Sequence, residues 1–284
     1  MSKLKISFFQ FLPKFNDIEY NFNNIRELIN DNKTRLKNTD LLVFPEYSFS
    51  GSIDIKTFSD YQKKLDKFNF VKKIEGLSLQ FPKLTIIFGS IIFKRSGDFR
   101  NTSLIYRNGV LIAEYDKKAL IYNENYTCKA SNHYGIFNIG KIRIGLAICW
   151  DLILPEVFRK YAKKVDLVVI PSFWGIGGNA LQAKYSFSLE KKYYTSLGIS
   201  RAYENSYALL FVNSVGKYKS TFYSDRMMGG SYFVNPPLGI VSKTNNKDYK
   251  HLHTVIFDPK LLQQYREYYA TDKDYFYYKS KKII

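Results

Sequence analysis

Apolar residues along this chain follow two spacings, one typical of helices and one typical of buried strands. Over residues 17–36 they recur every three to four positions, which predicts an amphipathic helix. Further helices are predicted at 57–79, after Pro155 and over 181–205. Short continuous apolar runs stand between them and predict buried strands at 4–9, 40–45, 84–92, 142–148, 166–170 and 207–213.

Turn signals indicate how these elements connect. The pair Asn108-Gly109 separates two apolar runs and predicts a hairpin over about residues 102–115. Later runs predict strands near 231–234, 239–243 and 252–257, and Pro259 is expected to begin the last helix. A hairpin beside alternating strands and helices favours an α/β fold with a mixed sheet. Because no Pro/Gly/Ser-rich linker interrupts the sequence, we expect a single domain over 1–284.

Composition excludes several classes of protein. Of the 284 residues, 45% are hydrophobic and 24% are charged, a balance typical of a globular chain. No apolar run approaches the ~18 residues of a membrane-spanning helix, and the first residues do not resemble a signal peptide. The 2 cysteines, Cys128 and Cys149, are too few for a disulfide framework. These observations together predict a cytoplasmic protein with reduced thiols and no membrane partner.

The net charge of +18 raises the question of an anionic partner. Lysines are spread along the whole chain, however, and the densest cluster is Lys279, Lys281 and Lys282 at the end. No zinc-finger or RNA-binding motif accompanies them. The charge therefore argues only weakly for nucleic acid as a partner.

Three polar residues stand at the ends of apolar strands, where α/β folds place reactive groups: Glu46, Lys117 and Cys149. Taken singly, each has an ordinary interpretation as a surface carboxylate, a solvated lysine or a core thiol. Taken together, they make chemical sense. A thiol with a pKa of ~8.5 needs a base to become a nucleophile, and an ammonium stabilises the oxyanion that results from attack. The three side chains suffice for attack on an amide or nitrile carbon, without a metal or cofactor.

Over nearly its whole length the chain resembles the nitrilase superfamily of carbon–nitrogen hydrolases. The matching blocks, in family order, are Phe44-Pro45-Glu46-Tyr47 with Gly51, Tyr115-Asp116-Lys117, Gly145-Leu146-Ala147-Ile148-Cys149-Trp150-Asp151 with Pro155-Glu156, Pro171-Ser172-Phe173-Trp174, Arg201-Ala202-Tyr203-Glu204-Asn205, Gly230-Ser231 and Pro237-Leu238-Gly239. The resemblance implies a four-layer αββα sandwich. It also implies that Glu46 is the general base, Lys117 the oxyanion stabiliser and Cys149 the nucleophile, which passes through a thioester.

The resemblance also implies roles for residues around this triad. Glu124 falls where related amidases carry a second glutamate that positions substrate or water, and the backbone N–H of Trp150 is expected to complete the oxyanion site. Pocket-lining positions are expected at Tyr47, Trp150 and Trp174. Supporting positions are expected at Asp151, Arg201 and Glu204, for which a buried ion-pair network is an equal alternative.

The substrate subclass is less well defined. Ile153 and Ala119 stand where many relatives carry arginine and histidine. Asp151 follows Cys149-Trp150 as in many amidases, which favours a small amide or carbamoyl amine as substrate. A nitrilase or an N-acyltransferase using the same triad is the first alternative. A non-catalytic anion-binding protein on the same fold, suggested by the charge, is the second.

Two other features have competing interpretations. His251 and His253 share one face of a predicted strand and could ligate a metal, but an exposed strand face is the preferred interpretation and no metal site is predicted. The tyrosine-rich segment 259–284 has few aliphatic residues. In the resembling family such segments pack across a homodimer interface, so we expect a homodimer or a higher homo-oligomer.

Overall fold

Two mixed β-sheets form the centre of the structure, a computed structural model that describes residues 2–176, 187–221, 223–245, 247–269 and 271–282. The first sheet contains, in spatial order, β15 (Leu252–Phe257), β1 (Leu4–Phe9), β2 (Leu41–Val43), β3 (Thr85–Ile87), β5 (Asp98–Arg107) and β4 (Ile91–Arg95), with β6 (Val110–Asp116) also paired to β5. The second contains β14 (Gly239–Lys243), β13 (Tyr232–Asn235), β10 (Ala208–Asn213), β9 (Leu167–Ser172), β8 (Ile142–Leu146) and β7 (Ile136–Ile139). A separate hairpin is formed by β11 (Val215–Lys219) and β12 (Ser224–Met228).

Helices connect the strands and cover the sheets. They are α1 (Ile18–Asp31), α2 (Lys33–Leu36), α3 (Phe58–Phe68), α4 (Phe70–Leu79), α5 (Pro155–Arg159), α6 (Phe187–Asn205), α7 (Pro259–Tyr268) and α8 (Thr271–Ser280). Two short 3₁₀ helices lie at Tyr122–Tyr126 and Cys149–Ile153. No helix within the described ranges is long and apolar enough to cross a membrane.

Side-chain alternation along β2 shows how the layers are arranged. Successive residues of a strand point to opposite faces. Leu41 and Val43 join an apolar core shared with the second sheet, whereas Leu42 packs in a separate core with Ile25 of α1 and Ile74 of α4. On the far side, α6 contacts β10 and β13 of the second sheet. The sheets therefore face each other with helices outside, which confirms the predicted αββα sandwich.

Most predicted elements are present, but several long ones are divided. The helix predicted over 57–79 is two helices, because Asn69 adopts a left-handed conformation with φ of 50°. The helix predicted over 17–36 is interrupted at Asn32. The strand predicted over 84–92 is β3 and β4, separated by a turn in which Gly89 has φ of +71°. The predictions did not include β7, β11, β12 or α8, and residues 181–186 of the helix predicted over 181–205 lie outside the described residues.

The fold positions the three candidate catalytic residues on converging strand ends. Glu46 follows β2, Lys117 follows β6 and Cys149 follows β8, so the first two come from one sheet and the third from the other. The backbone approaches itself closely here, since a Cβ built on Gly89 would lie 1.8 Å from the carbonyl oxygen of Pro45. Only glycine fits at that point beside the segment that carries Glu46.

Candidate active site

Cys149 begins a 3₁₀ turn directly after β8 and is 1% exposed. Its φ is +45°, an uncommon conformation for a residue with a side chain. Glu46 and Lys117 lie close enough to act electrostatically on the thiol in opposite directions. The structure therefore brings together the three residues nominated from the sequence.

Glu46 is 1% exposed and has a donor on each carboxylate oxygen. Its Oε1 accepts hydrogen bonds from Lys117 Nζ and Asn101 Nδ2, both at 2.9 Å, and its Oε2 accepts one from the backbone N–H of Phe173 at 2.9 Å. Because Phe173 lies just beyond β9, this carboxylate joins the two sheets. A buried carboxylate needs such partners, since its desolvation is otherwise costly.

Lys117 is equally buried and lies between two carboxylates. Its Nζ donates to Glu46 Oε1 at 2.9 Å and to Glu124 Oε1 at 2.8 Å. Its backbone N–H donates to the carbonyl of Asn101 at 2.9 Å, which anchors the end of β6. Nζ also lies 2.8 Å from Glu124 Oε2, so the two carboxylates surround the ammonium with three oxygen atoms.

Glu124 is the second carboxylate of this group. Its Oε1 also accepts hydrogen bonds from the hydroxyl of Tyr47 and from Asn101 Nδ2, the latter at 3.1 Å, and its Oε2 accepts from the N–H of Ile121 at 2.8 Å. Tyr47 is buried and has φ of +56°, which aims its side chain at Glu124. The structure thus assigns Tyr47 a polar contact that its sequence position did not reveal.

The side chain of Asp151 connects the turn that contains Cys149 to the segment around Lys117 through hydrogen bonds. Its Oδ2 accepts from the N–H of Ile148 at 2.8 Å and from the hydroxyl of Tyr115 at 2.7 Å. Its Oδ1 accepts from the N–H groups of Lys118 at 3.0 Å and Ala119 at 2.7 Å. A single fully buried carboxylate therefore fixes the distance between Cys149 and Lys117.

Arg201 and Glu204 lie on α6, outside the triad. They form an ion pair of 3.2 Å, and Arg201 also donates to the carbonyl of Ile153 at 3.5 Å, where the 3₁₀ helix ends. Ala119 and Ile153 are the two positions that depart from the family pattern. Their backbone atoms help hold the turn that contains Cys149, because the N–H of Ala119 donates to Asp151 and the carbonyl of Ile153 accepts from Arg201.

Two tryptophan rings pack against each other beside the turn that contains Cys149. The rings of Trp150 and Trp174 are 5.0 Å apart, and Trp174 Nε1 donates to Glu190 Oε1 at 2.7 Å. The backbone of Trp174 is held by Asn213, whose Oδ1 accepts from its N–H at 2.8 Å. This pair packs apolar rings in the same core cluster as Cys149.

Comparison with known proteins identifies the family. The model of the carbon–nitrogen hydrolases matches residues 5–267. The chain belongs to this family. Among curated relatives, it is 28% identical over 220 residues to a probable nitrilase of Schizosaccharomyces pombe, covering 75% of each chain. It is 23% identical over 281 residues to an (R)-stereoselective amidase of Pseudomonas sp., covering 99% of this chain and 92% of the relative.

Solved structures agree on the fold of this carbon–nitrogen hydrolase. A carbon–nitrogen hydrolase from Helicobacter pylori superposes with a TM-score of 0.82 at 17% identity, over 96% of this chain and 95% of that one. Nit3 of Saccharomyces cerevisiae, a member of branch 10 of the nitrilase superfamily, superposes with a TM-score of 0.77 at 20% identity, over 93% of each chain.

Burial sets the protonation states in the hydrolase. It raises the pKa of Glu46, an effect that Glu124 reinforces and Lys117 opposes. Burial acts the same way on Glu124, but Lys117 and the other donors outweigh it and hold the pKa of Glu124 below its usual value. Burial disfavours charge on Lys117, yet the two carboxylates raise its pKa well above the ordinary value. Burial and Glu46 raise the pKa of Cys149 well above that of a free thiol. The resting site therefore contains a neutral thiol beside a charged lysine.

Of the two histidines considered as metal ligands, His253 lies in β15 and His251 directly precedes that strand. His253 stacks on Phe8 with ring centroids 5.4 Å apart, and its pKa is lowered by burial. Within the described ranges, no three His, Cys, Asp or Glu side chains are arranged to hold a metal ion.

Asn101 is the residue of the site that sequence reasoning missed. It lies in β5 and contacts Glu46, Glu124 and the backbone of Lys117. The only available signal was a polar residue next to the predicted hairpin strand, which does not distinguish a site residue from a surface one.

Replacing Asp151 by asparagine should destabilise the enzyme. The amide nitrogen would face N–H donors where a carboxylate oxygen now accepts, so we expect a loss of about 1–3 kcal/mol in the free energy of unfolding. Urea denaturation of Asp151→Asn beside Asp274→Asn measures it. Asp274 is exposed on α8, and its replacement should change stability by less than about 0.5 kcal/mol. Equal stabilities of the two variants would contradict the stabilising role of the hydrogen bonds that Asp151 accepts.

Proposed function

We propose that this carbon–nitrogen hydrolase is a cysteine-dependent amidase acting on a small amide or carbamoyl amine. The observation that carries the proposal is the buried ion pair of Glu46 and Lys117, 2.9 Å apart, whose two charges act on the thiol of Cys149. A buried base, cation and thiol in contact with one another have the composition required for nucleophilic attack on a carbonyl carbon.

In the proposed reaction, Glu46 accepts the proton of the Cys149 thiol, and the sulfur attacks the carbonyl carbon. The ammonium of Lys117 and the backbone N–H of Trp150 stabilise the oxyanion. Glu46 then returns the proton to the leaving nitrogen, and ammonia or an amine departs as the thioester forms. Glu46 next takes a proton from water, which attacks the thioester and releases the acid and the thiol. Glu124 holds Lys117 and orients the water.

The relatives support an amidase more than they support a nitrilase. The (R)-stereoselective amidase aligns over 99% of this chain, and an omega-amidase of Xenopus laevis is 28% identical over 187 residues, covering 60% of this chain and 64% of the relative. Asp151 directly follows Cys149-Trp150, as in amidases. The probable nitrilase of S. pombe keeps nitrile hydrolysis as the alternative, and an entering amine in place of water would make the same site an N-acyltransferase.

We further propose that the chain is one domain that forms a homodimer through its C-terminal segment, residues 259–284. Within the described part of that segment, α7 and α8 expose Tyr268, Tyr269, Tyr277 and Tyr278. Tyr268 is 82% exposed, although a tyrosine normally buries most of its ring. An exposed group of aromatic rings is typical of a protein–protein interface. The cytoplasmic location stays a prediction, for which the two free, buried cysteines are the support.

Cys149→Ala should abolish ammonia release, because no other group can form the thioester. The assay is ammonia release from a panel of small amides, ω-amides, carbamoyl amines and nitriles. Cys128→Ala is the matched control, since Cys128 is also buried, its thiol lies 3.8 Å from the hydroxyl of Thr127, and burial raises its pKa to about 12. The control should keep wild-type activity, and the compounds that react identify the subclass.

If no compound in the panel reacts, and if iodoacetamide modifies Cys149 no faster than Cys128, the assignment of the triad fails. The non-catalytic anion-binding interpretation would then be preferred, and retention on heparin at moderate salt would support it.

The activity should rise with pH, and the midpoint of this rise should lie at a higher pH than the ordinary pKa of a glutamate. Glu46 must be ionised to accept the thiol proton, and its pKa is raised, so the acid limb of kcat/KM should lie above the ordinary glutamate value of about 4.3. Glu124→Gln removes a negative charge that contributes to the raised pKa of Glu46, so the midpoint should move to lower pH. Glu204→Gln, on α6, should leave it in place. A midpoint that Glu124→Gln leaves unchanged or raises would contradict the proposed electrostatics.

The proposed homodimer should depend on the tyrosines of α7 and α8. Light scattering after gel filtration should give a mass about twice the chain mass of 33.3 kDa. Tyr268→Asp should shift it toward the monomer, because it introduces a charge into the proposed interface. Tyr20→Asp, at a tyrosine of α1 that is 49% exposed, should not. A monomeric wild type would exclude the interface.

A further inference from the structure

One buried amide contacts both of the carboxylates that surround Lys117. Asn101 is 1% exposed and lies in the middle of β5, opposite Ile92 of β4. Its Nδ2 donates to Glu46 Oε1 at 2.9 Å and to Glu124 Oε1 at 3.1 Å. The backbone carbonyl of Asn101 accepts the backbone N–H of Lys117 at 2.9 Å.

The chemistry of the partners fixes the orientation of this amide. An ionised carboxylate only accepts hydrogen bonds, so the NH₂ group, and not the oxygen, must face Glu46 and Glu124. An amide nitrogen has two N–H groups, and here each carboxylate takes one. Asn101 therefore bridges the same two oxygens that Lys117 bridges, but it does so without a charge.

The other end of the amide has no comparable contact. Asn101 Oδ1 is buried and has no hydrogen-bond partner among the described residues. A buried acceptor without a partner is costly, and each such group in a folded protein requires an explanation. An apolar side chain would avoid this cost, so the contacts of the nitrogen are what account for asparagine at this position.

We propose that Asn101 is a positioning residue that keeps the Glu46 carboxylate ionised and correctly oriented as the base. This inference rests on the proposed amidase mechanism. Hydrogen bonds donated to a carboxylate favour its charged form. A neutral donor supplies this stabilisation to Glu46 and Glu124 together, without a second cation that would compete with Lys117 for the oxyanion. The backbone bond to Lys117 is kept in any variant, so substitutions of Asn101 test the side chain alone.

The experiment compares Asn101→Ala and Asn101→Asp with Asn21→Asp over a range of pH. Loss of the two hydrogen bonds in Asn101→Ala should reduce kcat by a larger factor than it changes KM. At the pH optimum, kcat/KM should fall roughly 10- to 100-fold. The carboxylate introduced in Asn101→Asp should raise the pKa of Glu46 and move the acid limb of kcat/KM upward by about one pH unit or more.

Asn21 provides the matched control. It is a buried asparagine of α1 whose Nδ2 donates to the carbonyls of Lys14 and Phe49 and whose Oδ1 accepts the N–H of Lys14. Its replacement by aspartate should lower stability and leave the acid limb in place, which separates a general cost of burying a carboxylate from an effect on Glu46.

A second readout does not depend on knowing the substrate. The rate at which iodoacetamide modifies Cys149 reports formation of the thiolate, with Cys149→Ala used to subtract the contribution of Cys128. Negative charge near the thiol raises its pKa, so Asn101→Asp should move the midpoint of alkylation to higher pH, and Asn21→Asp should not.

The outcomes separate this inference from the proposed function. An active wild type whose acid limb is unmoved in folded Asn101→Asp overturns the role of Asn101 and leaves the amidase proposal intact. An inactive wild type overturns the amidase proposal, and the alkylation midpoint then decides whether Asn101 acts on the charges of the site. If Asn101→Asp left the midpoint of alkylation unchanged, the inference would be overturned in that case too.

Discussion

The site depends on one constraint, which is that the ammonium of Lys117 is buried between two carboxylates. The side chains of Lys117 and Glu46 are each 1% exposed, and isolated buried charges are destabilising unless hydrogen bonds satisfy them. This requirement explains the ring of donors around the carboxylates: Asn101, the Tyr47 hydroxyl and the N–H groups of Ile121 and Phe173. The ring holds the Glu46 carboxylate and the Lys117 ammonium in fixed positions, which is the kind of preorganisation that the proposed mechanism needs.

The two sheets are needed because no single segment could supply these groups. Glu46 and Lys117 come from strand ends of the first sheet, and Cys149 comes from the second. Two carboxylates connect the halves. Glu46 accepts the N–H of Phe173 after β9, and Asp151 accepts N–H groups from the segment after Lys117. Stability and chemistry therefore share the same bonds, and we expect substitutions at these positions to affect both.

The sequence predicted the strand ends and the triad better than it predicted the contacts. β1 and the Asn108-Gly109 hairpin follow from local signals, since alternation and turn residues act over a few positions. The break at Asn69 was missed because the apolar spacing continues across it. Glu46, Lys117 and Cys149 were nominated by their positions and by resemblance, and the structure brings them together. The contacts of Asn101 with the two carboxylates join residues 23 and 55 positions apart, and those of Asp151 with the segment after Lys117 join residues 32 and 33 positions apart. No local pattern encodes such contacts.

The most direct test of the central claim is detection of the thioester on Cys149. The enzyme would be mixed with an activated ester of an acid whose amide it hydrolyses, and the mixture quenched in acid within milliseconds to seconds. Mass spectrometry of the peptide that contains Cys149 should then show the added acyl group, which should disappear as the free acid forms and be absent from Cys149→Ala. An acyl group on a different residue, or turnover by Cys149→Ala at the wild-type rate, would contradict the account.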